Sequence, residues 1–130
     1  LIEEVAKSVA VYAGFAKSLF ERTTRNALVL GALSGAGFFL GEKITVVVRV
    51  VGIPELRLGR AAFGAGGPGV MNASPIVLVG LLMAPLALHV VTASISAVGI
   101  RYGKREYVVA LVGAVALHTA YNLTVVGLLG

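Results

Sequence analysis

The sequence predicts an all-α polytopic transmembrane helix bundle with about four spans in this chain, each long enough to cross a bilayer. Three observations carry that prediction. Of 130 residues, 58% are hydrophobic and 13% charged, where a soluble domain averages about 45–50% and about 25%. Mean hydropathy is +0.95. Four apolar stretches meet or approach the roughly 20 residues that span hydrocarbon, and most of the cations fall in short segments between them. At this length they form one domain, residues 1–130.

The first element is expected over Ile2–Phe20, weakened as a span by Glu3, Glu4, Lys7 and Lys17. The chain opens on Leu1 rather than Met, and a candidate motif begins at once with Glu3, so native sequence with one or more further helices is expected upstream. The second element covers Ala27–Val51, with Gly31, Gly35, Gly37 and Gly41. Small residues at such spacing let membrane helices approach closely. The third covers Ser74–Ile100; Pro75 suits a first helical turn, and Pro85 is expected to kink the helix just before His89. The fourth is Tyr107–Leu129. Between the second and third lies the Gly/Pro-rich segment 52–73, read as a connector. Its glycines are not a phosphate loop, because no Gly-Lys-Ser/Thr follows.

The net charge of +5 and pI near 10.0 raise nucleic acid as a partner, but no basic and aromatic residues interleave for base stacking. Membrane lipids and topology account for the cations, and no nucleic-acid partner is predicted. The absence of Cys removes disulfides, thiol catalysis and thiolate metal sites. One face carries Arg22, Arg25, Arg101, Lys104 and Arg105; the opposite side carries Arg57 and Arg60 in its loop, with Lys43 and Arg49 at the preceding helix end. The positive-inside bias puts this basic face in the cytoplasm and both ends of the chain outside. A multi-pass protein of the cell membrane is expected.

Against this apolar background stand four polar constellations: Glu3-Glu4 with Lys7, Phe38 with Glu42, His89, and His118 with Asn122. Ionisable groups within spans are costly and usually face a protein interior where they function. Helix rise puts Glu3 and Glu4 roughly 24–26 Å from the basic face, Glu42 and Asn122 roughly 22 Å, and the two histidines roughly 16 Å. The depths overlap. His118 and Asn122 are i and i+4, on one helix face, as are Phe38 and Glu42. Glu3 and Lys7 share that spacing, so Lys7 can hold Glu3 and leave Glu4 to the site, or sit against either acid.

In this order the motifs Glu-Glu-x-x-Lys at 3–7, Gly-x-Gly-Phe-x-x-x-Glu at 35–42, His89 with Thr92 and Ala93, and His-x-x-x-Asn at 118–122 resemble the PrsW-type membrane proteases. Those sit within the superfamily of CAAX-processing and bacteriocin-processing intramembrane proteases. The resemblance implies a glutamate-dependent endopeptidase acting on membrane-anchored proteins similar to anti-sigma factors, with its site toward the outer side. It implies catalytic Glu3, Glu4, Glu42, His89, His118 and Asn122, supported by Lys7 and Phe38, with no cofactor. Lys43 departs from the family pattern, where Asn often follows the acid.

Each motif alone has a plainer reading. Acids at a helix start suit the macrodipole, Glu42 can pair with Lys43, and His or Asn within spans often only join helices. A metal-dependent protease or metal transporter, with Glu3, Glu4, His89 and His118 as ligands, is a second class. No His-Glu-x-x-His helix supports it. A non-catalytic scaffold like the APH-1 subunit of gamma-secretase is a third. A serine enzyme is disfavoured, since Ser34, Ser94 and Ser96 lie in no nucleophile motif.

Overall fold

The computed structural model describes residues 2–17, 20–51 and 75–129. The segment 52–73, read above as a connector, lies outside the described residues. The described residues form four helices: α1 (Ile2–Ala16), α2 (Thr24–Val51), α3 (Pro75–Tyr102) and α4 (Lys104–Leu129). No strand occurs among the described residues. Among the described residues three stretches, Thr24–Thr45, Met83–Tyr102 and Lys104–Thr124, are long and apolar enough to cross a membrane; α1, which ends at Ala16 short of the expected Phe20, is not one of them. The chain is a multi-pass helical membrane bundle.

Helices α2 and α4 start earlier than their apolar stretches, because hydropathy marks hydrocarbon depth rather than helix ends. The Thr23 side chain accepts the Asn26 backbone N–H at 3.1 Å, an N-cap that starts α2 ahead of Ala27. Helices α3 and α4 are joined through Gly103 alone, whose φ of 146° is open to glycine but not to residues with a Cβ. The polar turn Lys104–Glu106 then begins α4. Pro85 lies inside α3, and the helix continues through it.

Helix α3 is central and touches the other three; α1 lies across α2 and α3 and meets α4 only sparsely. Helices α2 and α3 approach closely. A Cβ on Gly31 would stand 2.6 Å from Ser94 Cα, and one on Gly35 would collide with the His89 carbonyl. The glycines therefore let two backbones touch, with His89 at the contact. Gly37 and Gly41 face open space, so only half of the glycine row expected to pack does so.

The apolar core gathers at the basic-face end, where Val11, Phe15, Ala27, Ala97 and Ile100 pack together. Outward, Leu33, Leu40, Val108, Val109 and Val112 are exposed, as lipid-facing positions should be. The buried face of α1 changes character along its length. Phe15 and Val11 continue into Ser8, Lys7 and Glu4, so the apolar core runs directly into a buried polar layer.

Candidate active site

The polar layer centres on the Glu4 carboxylate, which is 1% exposed. Lys7 Nζ, equally buried, donates to Glu4 Oε1 at 2.5 Å. Thr92 of α3 accepts from Lys7 at 3.2 Å and donates to the same Glu4 oxygen at 3.2 Å. From α4, His118 Nδ1 lies 2.7 Å from Glu4 Oε1. The Lys7 ammonium also stands 5.4 Å from the Phe38 ring centre. Side chains from all four helices thus surround one buried ion pair.

The structure chooses between the two partners that the sequence leaves open for Lys7. The ammonium pairs with Glu4 at i−3, rather than with Glu3 at i−4, because Glu4, Lys7, Ser8, Val11 and Phe15 share the buried face of α1. Glu3 lies beside that face, half exposed, with Oε2 3.6 Å from His118 Nε2. Backbone carbonyls along this face are tied as well: Ser8 donates to the Glu4 carbonyl and Ser34 of α2 to the Lys7 carbonyl, both at 2.8 Å.

A second pair adjoins the first. His89 Nε2 is 3.2 Å from Glu42 Oε2, and Lys43 Nζ is 3.2 Å from Glu42 Oε1. Glu42 therefore has the lysine partner of the plain reading and the histidine partner of the functional one. The His89 ring stands edge-on to His118 with centres 5.2 Å apart, and Phe38 flanks it at 5.6 Å. All the predicted residues converge, Asn122 without any hydrogen bond among the described residues to tie it to the rest. Asn122 instead lines a small polar cavity of about 140 Å³ together with Glu3, Glu4, Val115, His118 and Thr119. At about 30 Å³ per water, that space holds a few waters. Glu4 Oε2 and His89 Nδ1 are buried without a hydrogen-bonding partner among the described residues.

A family model described as PrsW family intramembrane metalloprotease matches residues 1–129. The chain belongs to the PrsW family. It is accordingly an intramembrane protease, a peptide hydrolase of the membrane. No curated protein and no solved structure matches it.

The description of the PrsW family implies a metal, and the donor set can be tested for one. A catalytic zinc takes three protein ligands and leaves a position open. Among the described residues no three His, Cys, Asp or Glu side chains are grouped to hold an ion. The Lys7 ammonium sits against Glu4 Oε1, where a cation would bind, and His118 turns both ring nitrogens toward carboxylates. A metal ligand needs a free lone pair on the imidazole. The residues do not fit a metal, and no step below passes through one.

Proposed function

We propose that this PrsW-family protein is a glutamate-dependent endopeptidase that hydrolyses peptide bonds of membrane-anchored proteins, with Glu3 as general base. The observation that supports this reading most is the polar cavity in which α1 and α4 bring Glu3, His118 and Asn122 together. Glu4 Oε1 is committed to Lys7, Thr92 and His118 and its Oε2 is buried, whereas the Glu3 carboxylate is half exposed and can reach a water.

Peptide hydrolysis needs a base for water, donors for the oxyanion and a proton for the leaving amine. Glu3 takes a proton from a cavity water as its oxygen bonds to the scissile carbonyl carbon. The Asn122 amide, one turn beyond His118 on the same face, donates to the carbonyl oxygen as it gains charge. Collapse breaks the C–N bond, and the proton held by Glu3 passes to the departing nitrogen. The products are one carboxylic acid and one amine, which exchange a proton to leave as carboxylate and ammonium. Glu4 and Lys7 hold His118, and His118 in turn fixes the orientation of Glu3. The Glu42–His89 pair buttresses His118 from α2 and α3.

Glu3 and Asn122 lie roughly 20 Å along α1 and roughly 27 Å along α4 from the basic face. With that face cytoplasmic, cleavage occurs toward the outer side of the cell membrane, on substrates anchored as anti-sigma factors are. Glu3→Gln in proteoliposomes is the test: it should abolish cleavage while leaving thermal stability unchanged. A scaffold role predicts intact assembly in Glu3→Gln and lost assembly in Glu4→Gln, with no cleavage by either protein or by the wild type.

A further inference from the structure

The sparse contact between α1 and α4 leaves a second hollow below the catalytic cavity. It measures about 530 Å³ and is lined by Ser8, Val9 and Tyr12 of α1, by Arg22, and by Lys104 and Tyr107 at the start of α4. Its floor is α3, through Ile100, and Gly103. The two hollows belong to one seam. On α1, Tyr12, Ser8 and Glu4 recur every four residues. On α4, Tyr107, Leu111, Val115 and His118 recur at spacings of four, four and three. Each set is one face of its helix. Because α1 descends toward the basic face and α4 rises from it, the faces oppose each other throughout. Tyr12 and Tyr107 lie roughly 12–16 Å below Glu4 and His118.

The seam is apolar at mid-depth, where Val9 and Tyr12 are each 60% exposed. It ends at the basic face between Arg22 and Lys104, both exposed, and the lining of this lower hollow has no acidic side chain. The larger hollow, about 690 Å³, lies on another flank between α2, α3 and α4 and has none of the catalytic residues in its lining. Its mouth carries Arg105 and Glu106 together, so it has no net charge to select an occupant.

We infer that the α1–α4 seam is the docking groove for the substrate's own transmembrane helix. That helix enters sideways from the bilayer, and a carboxylate at its basic-face end pairs with Arg22 and Lys104. The inference rests on the proteolytic reading and adds to it the route of entry and a charge preference. A segment seated there has its outer end beside Glu3, which fixes the scissile bond near the outer end of the span.

The chain's lack of Cys makes single-cysteine labelling direct. In the full-length protein in liposomes, Tyr12→Cys and Tyr107→Cys carry a benzophenone maleimide, with Val91→Cys and Val109→Cys as controls in the other hollow. The probes are synthetic Leu/Ala helices of about 20 residues, ending in Glu-Glu or in Lys-Lys. Photocapture should be at least about five-fold stronger from the seam than from the controls. The Glu-ended helix should be preferred by about five-fold, the most that one exposed ion pair supplies, and Arg22→Glu with Lys104→Glu should reverse that preference. Equal capture from both hollows, capture of lipid alone, or indifference to end charge overturns the inference. Capture requires no cleavage, so its failure is distinct from failure of the Glu3→Gln test.

Discussion

Replacing Lys7 by Met removes a charge while keeping the length and apolar bulk of the side chain. Lys7 and Glu4 are each 1% exposed and 2.5 Å apart, so Lys7→Met leaves a carboxylate buried without its counter-ion. Breaking a buried pair from one side costs about 3–5 kcal/mol, whereas replacing both partners is often close to neutral. Glu4→Gln keeps an acceptor oxygen for Thr92 and removes the charge. Lys7→Met should therefore destabilise by about 3–5 kcal/mol, and the double variant Lys7→Met/Glu4→Gln should recover to within about 1 kcal/mol of the parent. Equilibrium unfolding in mixed detergent micelles, followed by circular dichroism, measures the cycle and its coupling energy. If Lys7→Met unfolds within about 0.5 kcal/mol of the parent, or the double variant is weaker than the single one, the buried pair is not the keystone of the polar layer.

Other outcomes follow from the same geometry. Gly35→Ala should push α2 away from the His89 carbonyl and reduce cleavage sharply. Gly37→Ala, which meets nothing, should leave cleavage intact and stabilise by up to about 1 kcal/mol; thermal melts and cleavage rates separate the two. Asn122→Ala should lower the cleavage rate by roughly 10²–10³-fold, the effect of losing one oxyanion donor, with melting unchanged because no hydrogen bond among the described residues ties Asn122 to the bundle. Thr92→Val, which keeps the shape but loses the hydroxyl, should cost about 1–3 kcal/mol by leaving Lys7 one partner short, read in the same unfolding assay.

Much of this was legible in the sequence, and the misses have physical causes. Hydropathy placed the apolar spans, and the order of polar motifs named the carboxylates and imidazoles that meet in the polar layer. The partner of Lys7 stays open in the sequence because spacings of three and four both bring helical side chains together. The deciding signal was present: Val11 and Phe15 lie on the face of Glu4, and the face that continues an apolar stripe is the one that is buried. Thr92 was noted only beside His89, because a lone Thr in a span gives no sign of bridging a lysine and a carboxylate 85 and 88 residues away. The glycines of α2 read as packing residues, but only tertiary structure shows that Gly31 and Gly35 make contact while Gly37 and Gly41 do not. Nor could the sequence show that Glu42 is shared between Lys43 and His89, since one partner is adjacent and the other comes from another helix.

The most direct measurement is cleavage of a membrane-anchored substrate by chelator-stripped protein in liposomes, with the parent and Glu3→Gln side by side. Turnover of the parent should be undiminished after chelation, and Glu3→Gln should lose at least about 100-fold, the low end for removing a general base. Turnover that vanishes on chelation and returns with zinc, or a Glu3→Gln protein as fast as its parent, would contradict hydrolysis by Glu3 without a metal.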